Sequence, residues 1–161
     1  MRPKSVIENN VVRIKFINKN GALSNTPVEV NLIPVIPFSV RQQLSDGTFS
    51  NPVAGLALVD TGADHSAIDS KFAESAGFQS CALGSPLGVG GIVYNAPCYD
   101  LRYTINTPDR PRLYDARFVG VPLRDDDQRY QVILGMSFIQ RGRLIMDFEA
   151  EEFLFEFYPA S

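Results

Sequence analysis

The sequence predicts a mainly β domain, a small barrel or folded sheet carrying two short helices. Three observations lead there. Short runs of β-branched and aromatic residues alternate with turn compositions, helical periodicity shows in two brief stretches, and the 161 residues are close to the roughly 150 of one domain. With 45% hydrophobic and 20% charged residues, the chain can bury one sizeable core, which excludes a disordered or collagen-like protein.

The elements follow in order. Val11 to Ile17 sets Val12, Ile14 and Phe16 against Arg13 and Lys15 and reads as one strand, ended by the turn composition Asn18-Lys19-Asn20-Gly21. Val28 to Val35 repeats the alternation, and Pro34 and Pro37 make its far end an edge or a bend. Ser45 to Pro52 reads as a turn, and the continuous apolar run Leu56 to Val59 as a strand buried on both faces. The first helix has Ser66 and Asp69 as its capping pattern, Ile68, Phe72 and Ala76 at helical spacing, and Gly77 as C-terminal cap. A glycine-rich stretch, Gly84 to Gly91, precedes strand-like runs at Ile92 to Tyr94, Leu101 to Ile105 and Ala116 to Val121. The second helix spans about Met136 to Arg141 and closes at Gly142, before a final strand pair, Leu144 to Phe148 and Phe153 to Tyr158. The last strand is largely apolar on both faces, so it is either paired at an interface between subunits or covered as a core strand of one subunit.

Composition narrows the function. Fifteen Lys and Arg against eighteen Asp and Glu give a net charge of −3, the wrong sign for a protein that follows phosphate backbones. The acids at Asp125, Asp126 and Asp127 and from Asp147 to Glu156 read as solvated faces. Cys81, Cys98 and His65 are the whole complement of cysteine and histidine, so one chain cannot form a four-ligand Cys/His zinc site, and no metal or cofactor is expected. The two cysteines suit one disulfide or two free thiols. Met1 to Asn10 lacks the apolar core of a signal peptide, and no apolar run approaches the ~20 residues of a membrane span, so a cytoplasmic location without membrane contact is expected.

Three short motifs carry no chemistry. Gly88-Val89-Gly90-Gly91 has Val93 where a dinucleotide fingerprint needs its last glycine, and no βαβ unit surrounds it. Asp64-His65-Ser66 holds the residue types of a hydrolase triad, but consecutive side chains cannot converge into the relay. Gly135-Met136-Ser137-Phe138-Ile139 lacks the second glycine of a nucleophile elbow. A fourth motif is different: the apolar strand Leu56 to Val59 runs directly into Asp60-Thr61-Gly62-Ala63-Asp64. A carboxylate at the end of a buried strand costs several kcal/mol unless hydrogen bonds compensate, and Gly62 permits a tight turn with amides aimed at Asp60. Taken alone, the tripeptide is equally the start of an Asx-type turn.

Neighbouring segments give the motif its context. Val59 to Asp64 resembles the active-site loop of the retropepsin family of aspartic proteases, and Ser66 to Phe78 resembles the helix that follows it. Leu87 to Ile92 is similar to the glycine-rich flap tip, and Val132 to Ile139 to the second signature, an apolar pair and glycine opening the C-terminal helix. The four segments keep the family's order and span Leu56 to about Phe148. The resemblance implies a retropepsin-like acid protease fold, a closed barrel or folded sheet with two short helices. The length fits one domain over 1–161, with 51–161 as the protease core and 1–50 as N-terminal extension strands that have no counterpart in the compact viral enzymes.

The activity so implied is aspartic endopeptidase. Two carboxylates share one proton and hold a water between them; the ionised one activates the water and the protonated one polarises the peptide carbonyl. The chain has a single Asp-Thr-Gly, so a homodimer would face Asp60 with its symmetry mate. By the same resemblance Thr61 and Gly62 complete the catalytic loop. Ala63, Asp64, Gly88, Val89, Gly90, Gly91 and Ile92 would contact a peptide or protein substrate with hydrophobic residues beside the cleaved bond. A catalytically inactive peptide-binding or dimerisation module of the same fold is the alternative. One departure stands out: Met136 occupies the place of an arginine that in the viral enzymes pairs with the aspartate at the position of Asp64.

Overall fold

Six strands close on one another into a barrel. The structure, a computed structural model, describes residues 9–18, 20–27, 33–84, 96–123 and 129–159. The barrel staves are β4 (Ile33–Arg41), β5 (Val53–Val59), β6 (Ala67–Asp69), β8 (Ala96–Asn106), β9 (Pro111–Val121) and β10 (Val132–Leu134). In ring order β4 meets β5, β5 meets β10, β10 meets β6, β6 meets β9, β9 meets β8, and β8 returns to β4. The β5–β10 and β6–β9 contacts are parallel and the rest antiparallel. Outside the ring, β2 (Lys15–Ile17) pairs with β4, β3 (Leu23–Ser24) with β2, and β7 (Ala82–Gly84) with β8. A separate three-stranded sheet places β12 (Glu152–Phe157) between β1 (Val11–Arg13) and β11 (Gly142–Asp147). The expected class, mainly β with a closed barrel and two short helices, is what the chain adopts.

The core follows from the alternation. On β8, Tyr99, Leu101, Tyr103 and Ile105 are buried, and on β12 so are Phe153, Phe155 and Phe157. The barrel and the small sheet meet at α2 (Met136–Ile139), whose Phe138 ring sits 4.6 Å from Phe155 and 6.4 Å from Tyr103. β5 is covered on both faces, as its unbroken apolar run predicts. Ala57 and Val59 enter the main core, while Leu56 and Leu58 pack against a second cluster of Ile17, Val35 and Tyr130.

Four expectations are corrected. The segment Val11 to Ile17 is not one strand: it breaks at Ile14, whose amide donates to Phe153, and its halves join different sheets. Of the expected strand Val28 to Val35, Val28 to Leu32 lie outside the described residues, and β4 runs through Pro34 and Pro37 to Arg41 without a bend to end it. Pro34 falls one residue outside the register with β5, and Pro37 falls between the β2 and β8 ladders, so neither ring deprives the sheet of a donor. The first helix, α1 (Ser70–Ser75), starts later than predicted, with Asp69 as N-cap accepting from the Phe72 amide at 2.9 Å. Ser66 and Ile68 are instead buried at β6, where pairing with β9 and β10 claims the backbone. Gly77 keeps its predicted place: at φ 77° it ends α1 while the Phe78 amide donates to Ala73. Finally, α2 ends at Ile139, and Gly142 opens β11 opposite Phe157, where a Cβ would lie 2.0 Å from the Glu156 carbonyl and only glycine fits.

The last strand resolves the other way from an interface strand. β12 has both edges occupied within the chain, by β1 and β11, and Phe155 is fully buried. Ile92 to Tyr94, expected as a strand, lies outside the described residues. Among the described residues, no helix is long and apolar enough to cross a membrane.

Candidate active site

Two parallel strands bring the two signature segments together. β5 and β10 run side by side with Leu134 opposite Val59, so Asp60 and Gly135 leave the sheet at the same edge. The Asp60 amide still donates to Leu134 at 3.0 Å, extending the ladder by one bond before the chain turns away. The Gly62 amide then donates to Asp60 Oδ1 at 2.8 Å, and the Ala63 amide to the Asp60 carbonyl at 3.4 Å. This is the local turn that Asp-Thr-Gly favours, and it fixes one oxygen of the carboxylate. A Cβ on Gly62 would approach Asp60 Oδ1 to 3.2 Å, which keeps that position small.

The second segment holds the loop from below. The Met136 amide donates to the Ala63 carbonyl at 2.7 Å and the Ser137 amide to the Asp64 carbonyl at 3.2 Å. These are amides of the first turn of α2, which have no acceptor within the helix. Gly135 permits the approach. A Cβ there would lie 2.3 Å from the Ala63 carbonyl oxygen and 2.9 Å from that of His65. The sequence marks Gly135 as the opening of a helix; its contact with Ala63 and His65 is not legible there, because it depends on β5 and β10 lying side by side.

Exposure revises one premise. Asp60 and Ala63 are half-buried, and Thr61, Gly62, Asp64 and His65 are exposed. The Asp60 carboxylate therefore stands at an open edge of a single chain, and the cost of sealing a charge in the core does not arise there. Asp64, which lacks an arginine at position 136, is solvated. Gly88, Val89, Gly90, Gly91 and Ile92 lie outside the described residues. The β7–β8 ladder leads up to them from both sides, with Gly84 opposite Ala96. Among the described residues, no group of three His, Cys, Asp or Glu side chains is placed to hold a metal ion.

An open groove lies elsewhere on the surface, between the 42–49 loop and the outer face of β8 and β9. Phe49 projects there between the guanidinium groups of Arg41 and Arg102, at 4.7 and 4.6 Å. Arg102 pairs with Asp115 at 2.7 Å and Arg117 with Asp100 at 2.8 Å. Those hydrogen bonds hold both aspartates below the usual carboxylate range. None of the Asp60-loop residues lines this groove.

No protein-family model matches the sequence, and none of the curated proteins does. Among solved structures, the chain is similar to a retropepsin-like aspartic protease from Rickettsia conorii, at 20% identity over 76% of this chain and 95% of that one, with a TM-score of 0.47. It is also similar to the retroviral protease-like domain of Ddi1 from Leishmania major, at 17% identity over 81% and 97% of the two chains, with a TM-score of 0.45.

Proposed function

We propose that the protein is an aspartic endopeptidase that works as a homodimer, with Asp60 from each copy forming the catalytic pair. The observation that carries this reading is the built loop. A half-buried carboxylate accepts the Gly62 amide at 2.8 Å, and the start of α2 braces the turn through Ala63 and Asp64. One such loop per chain supplies half of the required acid pair, and its exposed edge leaves room for the other half. In the dimer the two carboxylates share a proton and titrate as a unit. One takes a proton from the attacking water; the other donates to the carbonyl oxygen, and the leaving amine collects a proton as the bond breaks.

In this reading Thr61 bridges the two loops across the axis, and Gly62 offers a backbone group to the substrate. Ala63 and Asp64, with Gly88 to Ile92 closing from above, bind an extended peptide with hydrophobic residues beside the cleaved bond. The residues 1–161 act as one domain, with 1–50 as extension strands to the 51–161 protease core, in the cytoplasm and without a cofactor. The test is cleavage of a peptide library from acidic to neutral pH by wild type and by Asp60→Asn. Cleavage by wild type and its loss in the variant support the reading. Equal cleavage by both overturns the role of Asp60, and none by wild type favours a catalytically inactive peptide-binding or dimerisation module.

A further inference from the structure

We propose that Cys81 and Cys98 form a reversible disulfide that staples β7 to β8. Both are free thiols in the structure. In the β7–β8 ladder Cys98 lies opposite Ala82, one residue from Cys81. The Cys81 amide donates to the Cys98 carbonyl at 2.9 Å, and the Cys81 thiol points at the same oxygen, with Sγ 3.3 Å away. A direct backbone bond sets the two residues at neighbouring-strand spacing, which the roughly 4.4–6.8 Å Cα separation of disulfides covers.

Side-chain direction places the thiols on one face. On β8 the odd positions Tyr99, Leu101 and Tyr103 enter the core, so Cys98 and Asp100 belong to the outer face. Cys81 lines the same outer-face groove as Asp100 and Arg117, and so lies on that face. Asp100 is itself paired with Arg117, and these two are the charged groups beside the cysteines. Although Cys98 is on the outer face, it is 2% exposed, whereas Cys81 is open to solvent. Burial and the neighbouring Cys81 push the Cys98 thiol up, which fits it to the second step rather than the first.

The chemistry is thiol–disulfide exchange with a low-molecular-weight disulfide such as oxidised glutathione. The Cys81 thiolate attacks one sulfur of the oxidant, forming a mixed disulfide and expelling a glutathione thiolate that takes up a proton. Cys98 then loses its proton and attacks Cys81 Sγ, expelling the second glutathione. Two protein thiols are oxidised and one glutathione disulfide is reduced to two thiols. Neither cysteine belongs to the Asp60 loop, so the proposal stands apart from the peptidase reading.

The test incubates the full chain in a series of reduced and oxidised glutathione mixtures and reads intact mass and peptide maps. Expected are the loss of two hydrogens per chain, a linked Cys81–Cys98 peptide pair, and full reversal by dithiothreitol. Cys81→Ser should abolish the change without taking up glutathione, because Cys98 is covered. Cys98→Ala should stop at a glutathione adduct on Cys81. Should the Cys98→Ala chain fail to fold, Cys81→Ser and the wild-type map still decide. Two thiols retained across the whole series, a wild-type chain that ends as the Cys81 adduct, or cross-links between chains would each overturn the proposal.

Discussion

The amide of Met136 donates to the carbonyl of Ala63 at 2.7 Å, joining two segments more than seventy residues apart in the chain. The bond ties the loop carrying Asp60 to the first turn of α2, and α2 is anchored in turn by Phe138 among Tyr103, Phe155 and Phe157. The position of the carboxylate thus depends on the core through a short, stiff path.

Gly135→Ala tests that path. The added Cβ would meet the Ala63 carbonyl oxygen at 2.3 Å, so either the loop or α2 must move. Overpacking of this kind costs about 1–3 kcal/mol. We expect a lower melting temperature, and a displacement near 1 Å at the loop should lower peptide cleavage by roughly 100-fold. Thermal denaturation and kcat/KM measured on the same preparation check both.

Asp69→Ala removes the cap of α1. Its carboxylate is fully buried and accepts the Phe72 amide at 2.9 Å. Loss of an N-cap costs about 0.5–2 kcal/mol, and burial puts this site at the upper end. Urea denaturation should show the loss, while Asp69→Asn, which keeps an acceptor, should lose less.

Tyr103 sets an alkaline limit. Burial pushes its phenol up to about 12, whereas in the unfolded chain it ionises near 10. The folded state therefore holds the proton more tightly. Its contribution is complete below pH 10 and fades as pH rises from about 10 towards 12, by roughly 3 kcal/mol in all. Melting curves between pH 9 and 12 should fall over that window. Tyr103→Phe should flatten the fall and remove the latest step of the absorbance titration, in which burial also delays Tyr99 and Tyr114.

Local patterns were the legible part of the fold. The unbroken run Leu56 to Val59 announced a strand covered on both faces, and Gly77 announced a helix end, because each signal depends on near neighbours alone. The strand break at Ile14 was invisible, since Val11 to Ile17 alternates cleanly while its halves serve different sheets. The cap shifted from Ser66 to Asp69 because pairing with β9 and β10 overrides a local capping pattern. Of the candidate site, the Asp60 turn could be read from Asp-Thr-Gly. The close approach of Gly135 could not, because it depends on β5 and β10 lying side by side, a contact that no local pattern records.

The central claim is that each copy supplies one Asp60 to a shared site, and mixing tests it most directly. Wild type is held at a fixed concentration, and Asp60→Asn is added in increasing excess, with time allowed for subunits to exchange. The account predicts that cleavage by the constant amount of wild type falls towards zero, as each active subunit becomes paired with an inactive one. Cleavage that is indifferent to the added variant, or wild type that cleaves as a monomer by sedimentation, would contradict it.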